Sequence, residues 1–305
     1  MTGGIVLVTG AAGGSQGQTG RHVSELLLAK GVSVRAFVRK IDQRSERLCA
    51  LGAQVVEGDF LDYYSVERAT QGVSSVYFAY PVREGLLQAT TIMADAARKA
   101  GVTRLIDMVM FVSSPDAPTP RMRENYLSER IFEWAGIGAA HVRATVFYEN
   151  MRVLTAATIA RDGSILLPWG SESTSVPLVS AQDVAGVAVG LLTGPSVKPG
   201  SSFPVIGDVL TLRDIVATFQ RVLDRNVRYQ EVPDKAWADA ALSRGYNQHA
   251  VEHLSKLWQA LRTGIRTYEV PDTILKLAGK RPKTFEEFLQ EQKDAFKPQF
   301  ASAIA

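Results

Sequence analysis

The first half of the chain alternates between two hydrophobic periods. Short β-branched runs at Ile5–Val8, Val32–Val38, Gln54–Val56, Val76–Ala79, Leu105–Val112 and His141–Val146 read as strands. Between them, Arg21–Lys30, Ser45–Leu51, Ser65–Thr70, Leu86–Ala100 and Glu124–Ala135 have the length and patterning of amphipathic helices. In the first of these, Val23, Leu26 and Leu27 share one helix face. Gly31, Gly52, Gly72, Gly101 and Gly136 stand where helices end, as the left-handed position after a last turn favours. Strand, helix, strand, repeated about five times, predicts an α/β fold with a Rossmann-type doubly wound parallel sheet. Right-handed crossovers then put ligands at the carboxyl ends of the strands, near the switch in strand order.

After Phe147 the beat is lost. Gly163–Val179 reads as irregular loops and short strands, interrupted by Pro168, Gly170 and Pro177. Helical patterns return at Asp183–Leu192, Leu212–Asp224, Lys235–Leu242, Val251–Arg262 and Phe285–Phe296. The expected organisation is a dinucleotide-binding domain over residues 1–147 and a smaller mixed α/β lobe over 148–305, for substrate or partner, without an independent fold.

Composition narrows the class. Of 305 residues, 46% are hydrophobic and 21% charged, the balance of a globular chain. Lys plus Arg is 34 against 31 for Asp plus Glu, an excess too small and scattered to predict direct nucleic-acid or membrane binding. Cys49 is the single cysteine, which excludes an intrachain disulfide and a Cys-based zinc site, and no metal site is expected. No apolar run approaches the ~20 residues of a membrane span, and the N-terminus lacks a leader pattern. The expected setting is soluble and cytoplasmic.

The strongest chemical signal is Val8-Thr9-Gly10-Ala11-Ala12-Gly13-Gly14-Ser15-Gln16-Gly17-Gln18-Thr19-Gly20-Arg21, between the first strand and the first helix. Glycines there let backbone approach a diphosphate, and a helix N-terminus offers unpaired N–H groups. The spacing is unusual: Gly10 and Gly13 fit G-x-x-G, but the last glycine arrives only at Gly20. The cofactor-binding set read from this loop is Gly10, Ala12, Gly13, Gln16, Gly17, Thr19 and Gly20. At the end of the second strand, Arg39 stands where a basic side chain accommodates a 2′-phosphate, so NADP(H) is predicted over NAD(H), although Asp42 lies three residues on.

Further motifs carry a family resemblance: Val34-Arg35-Ala36-Phe37-Val38-Arg39, Gly58-Asp59-Phe60, Ala97-Arg98-Lys99-Ala100-Gly101-Val102, Tyr126–Gly136, Val142–Met151 and Ser180-Ala181-Gln182-Asp183-Val184-Ala185. In their order and spacing they resemble the NmrA-like family of atypical short-chain dehydrogenases/reductases over about residues 1–190. The resemblance implies an NAD(P)-binding Rossmann domain with a small C-terminal lobe. It further implies that Asp59 and Phe60 border the adenine and that Ala79 and Tyr80 lie beside the ribose and diphosphate. The alternative for Asp59, read alone, is a cap or turn aspartate.

Ordinary short-chain dehydrogenases use a tyrosine and a lysine one helical turn apart, the lysine lowering the phenol's pKa. No Tyr-x-x-x-Lys occurs between the fifth and sixth strands, and Asn125 occupies the position where the family often carries lysine, with Arg121 a turn earlier. The substitutes are Tyr126, with Arg130 four residues on; Ser113, beside Ser114 at the close of the fifth strand; and Tyr148 and Asn150, with Glu149, after the sixth. Tyr126 also reads as a packing residue on an amphipathic helix. Trp169 is expected as an apolar wall of the nicotinamide pocket, His141 in a strand, and His249 and His253 at the surface.

A strongly electrophilic conjugated acceptor needs little acid assistance, since orientation against the nicotinamide supplies much of the rate. The leading expectation is therefore an NADP(H)-dependent oxidoreductase reducing a small apolar electrophile such as a quinone or enone. The alternative is a non-catalytic NAD(P)-binding redox sensor acting through a protein partner.

Overall fold

A computed structural model describes residues 4–14, 18–264 and 266–297. In chain order the strands are β1 (Ile5–Thr9), β2 (Val34–Val38), β3 (Gln54–Glu57), β4 (Val73–Phe78), β5 (Arg104–Met110), β6 (Ala139–Ala144), β7 (Val146–Phe147), β8 (Ser164–Leu167), β9 (Ser175–Val179), β10 (Ser202–Val205), β11 (Asp208–Thr211) and β12 (Arg228–Glu231). The helices are α1 (Thr19–Ala29), α2 (Gln43–Ala50), α3 (Tyr63–Thr70), α4 (Leu86–Lys99), α5 (Pro120–Trp134), α6 (Tyr148–Asp162), α7 (Ala181–Thr193), α8 (Leu212–Leu223), α9 (Asp234–Ser243), α10 (Gln248–Arg262), α11 (Thr273–Ala278) and α12 (Phe285–Gln292).

Seven parallel strands form the central sheet in the order β10-β6-β5-β4-β1-β2-β3. This is the doubly wound arrangement the β–α alternation predicts, with the order reversing between β1 and β4. Both faces are buried: Val6, Val8 and Ala36 pack toward α1 and α7, whereas Leu7, Val76 and Leu105 pack with Met93 and Phe132 of α4 and α5. Such two-sided burial is why the strands read as continuous apolar runs.

Local caps refine the helix boundaries. α5 begins at Pro120 rather than near Glu124, because Thr119 caps it through Met122 N and Pro120 occupies the first turn, where a missing N–H costs nothing. Asp42 and Ser45 form a reciprocal capping box on α2.

The chain crosses between lobes more than once, unlike a division at 147/148. β10 completes the large sheet by pairing with β6, and α7 packs on α1, so both belong with the first half. The smaller lobe holds the β11-β9-β7 and β12-β8 sheets around a separate core that includes Trp169, Phe219, Trp258 and Phe285. No helix among the described residues is long and apolar enough to cross a membrane.

Candidate functional site

The candidate site lies where β1 and β4 end side by side. Thr9 ties these ends together: its Oγ1 accepts from Ala79 N (2.8 Å) and donates to Ala79 O (3.2 Å). The chain then turns through Gly10 (φ 62°) and Gly13 (φ 69°), closed by a bond from Gly13 N to Gly10 O (3.0 Å). Both glycines hold left-handed backbone that a side chain would strain. Ala12 is half-buried in this turn, and Thr19 is buried at the start of α1. Gly20 permits close helix–strand packing: a Cβ there would stand 2.4 Å from Thr9 O and 2.6 Å from Gly10 O. Gln16 and Gly17 lie outside the described residues. Gln18, the N-cap of α1, makes no side-chain cap bond, and its Oε1 instead accepts from Arg21 (2.6 Å). Left-handed glycines ahead of a helix start that Gln18 leaves uncapped fit a bound diphosphate.

At the end of β2, Arg39 is exposed and its side chain makes no hydrogen bond among the described residues. Asp42, the acid nearby, is engaged. It caps α2 and holds Arg44 through two contacts to Nε (3.3 and 3.1 Å) and one to NH2 (2.6 Å), which with the cap bonds keeps its carboxyl down at about 2. Arg44 also donates to Gly13 O (2.9 Å) and so lies beside the glycine turn. Sequence reasoning missed Arg44. Its position in the first turn of the helix after β2 was the available signal.

Phe60 packs edge-on against Phe37, Phe78 and Tyr80, with centroids 5.3, 5.9 and 5.4 Å away. Asp59 behaves as a turn aspartate, its Oδ1 accepting from Leu61 N (2.9 Å). Tyr80 is buried and donates to Glu84 O (2.9 Å), while its own carbonyl accepts from Arg121 (2.9 Å).

The ends of β5 and β6 carry the groups considered for catalysis, and the structure separates them. Ser113 is buried beyond β5, and its Oγ has no hydrogen-bond partner among the described residues. Asn125 is also buried, and its Oδ1 accepts from Met110 N at the last residue of β5 (3.3 Å). A neutral amide fastened to backbone thus occupies the place where the family often has lysine. Arg121, one turn earlier, is a buried guanidinium whose pKa burial pulls down to about 10. Tyr126 is half-buried, and Arg130 lies over its ring, 5.4 Å from the centroid, while pairing with Glu133.

Tyr148 does not face an open pocket. It is fully buried against Phe285 and Phe288, and its hydroxyl donates to Asp208 Oδ2 (2.7 Å). Burial, followed by the Asp208 charge, drives its pKa far above that of a free phenol. Neighbouring Glu149 accepts from Ala181 N (3.2 Å) and is raised by burial, and Asn150 makes no side-chain hydrogen bond among the described residues.

Two other expectations are corrected. Trp169 is a core residue of the smaller lobe, 5.0 Å from Trp258 between ring centroids, rather than a pocket wall. His253 is buried, not at the surface: its Nδ1 meets Thr119 Oγ1 at 2.9 Å, and burial, with Arg121 and His249 adding like charge, lowers its pKa to about 3. His249, one helical turn before, lies 3.8 Å from Glu124. The i, i+4 spacing marked one helix face, but only the tertiary structure reveals that this face meets Thr119 and Glu124 at the start of α5. His141 lies in β6 as expected, buried beside Asp107 and Glu133.

The (4-alkanoyl-5-oxo-2,5-dihydrofuran-3-yl)methyl phosphate reductase of Streptomyces griseus is 32% identical over 302 residues, covering 97% of this chain and all of that protein. An NAD(P)H azoreductase of Xenophilus azovorans is 26% identical and covers 93% of this chain and 97% of its own length. An NADPH-dependent quinone oxidoreductase of Escherichia coli, solved with NADPH, shares the fold at a TM-score of 0.79 and 23% identity, over 95% of this chain and 99% of that one. Residues 3–289 match the NmrA-like family, and with a relative above 30% identity along its full length, the chain belongs to that family.

Proposed function

We propose that the chain is an NADPH-dependent reductase of conjugated electrophiles, a carbon–carbon double bond or quinone ring flanked by carbonyls. The observation that carries this reading is at the end of β5, where Ser113 offers a buried, partnerless hydroxyl and Asn125 replaces the usual lysine. The nicotinamide, when bound, supplies a hydride. Reduction of an isolated ketone leaves a localised alkoxide that calls for a positioned acid, and no tyrosine–lysine pair stands at this strand end. Hydride addition to a conjugated β-carbon instead spreads charge onto carbonyl oxygens. A single donor such as Ser113 can then orient and stabilise it, and solvent delivers the proton, to the α-carbon of an alkene or to an oxygen of a quinone. The Streptomyces relative is named for a dihydrofuranone that carries an alkanoyl group beside the ring carbonyl and a methyl phosphate, a doubly activated alkene of this kind.

Preference for NADPH is supported by the end of β2. Arg39 is unengaged, Arg44 lies beside Gly13 O, and Asp42 is consumed by its cap and ion pair instead of being left for a ribose hydroxyl. The test is NADPH oxidation against a panel of an acyl-dihydrofuranone, a benzoquinone and an unconjugated ketone, repeated with NADH. Turnover of the first two and not the third, faster with NADPH, is expected. Tight NADPH binding without turnover of any acceptor overturns the reductase reading in favour of a redox sensor.

A further inference from the structure

The loop from β8 to β9 makes a turn in which Thr174 N donates to Ser171 O (2.9 Å), and the hydroxyls of Ser171 and Ser173 stand 2.8 Å apart. Across an open cavity of about 400 Å³ lie Arg262 at the end of α10, Gly264, and Arg266, Thr267 and Tyr268. Ser171, Ser173, Thr174, Ser175, Arg262 and Arg266 contribute to its wall, and no carboxylate does among the described residues.

The two guanidinium groups differ. Arg262 is neutralised by Asp234, with bonds of 2.8 and 2.7 Å, and also donates to Pro168 O. Gly170 (φ 86°) makes room for its stem, since a Cβ there would stand 3.0 Å from Arg262 Cγ. Arg266 is exposed and makes no hydrogen bond or ion pair among the described residues. Its charge reaches the β5–α5 loop: Asp116, held below the usual carboxylate range first by a bond from Ser114, also feels Arg266. Asp116 belongs to the same β5–α5 loop as Ser113. A second link is aromatic, for Tyr268 packs edge-on against Phe111, the residue after β5, at 5.8 Å. The cavity therefore adjoins the strand end that carries the partnerless hydroxyl.

Clustered hydroxyl donors, one guanidinium with no ion pair among the described residues and no lining carboxylate form an oxyanion receptor; a neutral quinone would meet them only through its carbonyl oxygens, without the charge-assisted bonds an anion makes. We propose that this cavity holds the anionic end of the substrate, a phosphate monoester or a carboxylate, while the conjugated part lies at the end of β5. The inference rests on the reductase reading and narrows its substrate class to anionic conjugated electrophiles.

The test compares one acyl-dihydrofuranone as its hydroxymethyl, carboxymethyl and phosphomethyl forms, with NADPH saturating. The kcat/KM of an anionic form should exceed that of the alcohol by about tenfold or more, and Arg266→Gln should erase most of that ratio, as expected for loss of a charge-assisted bond. Whether the phosphate or the carboxylate gains more identifies the headgroup. Equal kcat/KM for all three forms, or a ratio unchanged in Arg266→Gln, overturns the proposal. If none is reduced, the reductase reading fails but the cavity is still decided, by titrating NADPH-saturated protein with phenyl phosphate and following tryptophan emission, since Trp169 and Trp258 lie beside the Pro168–Arg262 contact. Saturable binding lost in Arg266→Gln and weakened in Ser173→Ala supports an anion site. No binding, or binding indifferent to Arg266→Gln, overturns it.

Discussion

Gly20 lies against the end of β1 so closely that a Cβ on it would stand 2.4 Å from the carbonyl oxygen of Thr9. That approach brings the first turn of α1 onto the strand end and lets the lengthened loop still deliver a helix start to the switch in strand order. Gly20→Ala must push α1 away or distort the strand end. The expected cost is about 1–3 kcal/mol of stability, the range for overpacking. Thermal unfolding and NADPH titration of the variant check it together. A variant that melts and binds like the parent would dissociate this glycine from the site.

Arg39 and Arg44 are expected to act unequally on the two cofactors. Arg39→Ala should weaken NADPH by about 1.5–3 kcal/mol, as for a lost hydrogen bond to a charged group, and leave NADH nearly unchanged. Arg44→Ala should weaken NADPH too, with some loss for NADH, because Arg44 also holds the Gly13 carbonyl. Calorimetric titration of both variants with both cofactors separates these outcomes.

Ser113 offers an opposite pairing of stability and rate. Its hydroxyl is buried without a partner among the described residues, so Ser113→Ala removes a desolvated polar atom and should leave stability equal or slightly higher. If that hydroxyl stabilises the substrate's developing charge, kcat should fall about tenfold to a hundredfold, toward the range for one lost oxyanion donor. Unchanged kcat would remove Ser113 from the reaction.

Tyr148 should show the reverse. Its hydroxyl donates to Asp208 Oδ2, which also accepts from Phe285 N (2.9 Å) and so joins α6, β11 and α12. Tyr148→Phe is expected to cost about 1.5–3 kcal/mol of stability. Turnover measured well below the melting temperature should persist. Its selective loss in a fully folded variant would return Tyr148 to the chemistry.

His253 makes stability depend on pH in a defined direction. Its native pKa is lowered from 6.5 to about 3, so below pH 6.5 the unfolded chain takes up a proton that the native state refuses. Its neutral burial costs nothing extra above 6.5, and stability is lost as pH falls from there toward 3, at up to about 1.4 kcal/mol per pH unit. His22, lowered to about 4 by burial and then by Arg21, adds loss of the same sign. Urea unfolding at pH 7 and pH 5 should show the drop, and His253→Gln should shrink it.

The sequence alone determined the parallel doubly wound sheet, the glycine turn at its first strand, the basic exit from the second and the lack of a tyrosine–lysine pair. Each is written in a few adjacent residues: a hydrophobic period, a glycine before a helix, a side chain at a strand end. Only the tertiary structure decided what depends on distant neighbours. β10 is a four-residue strand that exists because β6 offers it an edge, and Ser202–Val205 carries no local pattern strong enough to announce it. Tyr148 and Asp208 are 60 residues apart, and their bond turned a candidate proton donor into a strut. His253 is buried where α10 brings it against Thr119, the N-cap of α5, and Arg266 borders a cavity whose wall, at Tyr268, packs against Phe111 after β5. The strength of a period is local, but burial and hydrogen-bond partnership are properties of pairs, and folding chooses the pairs.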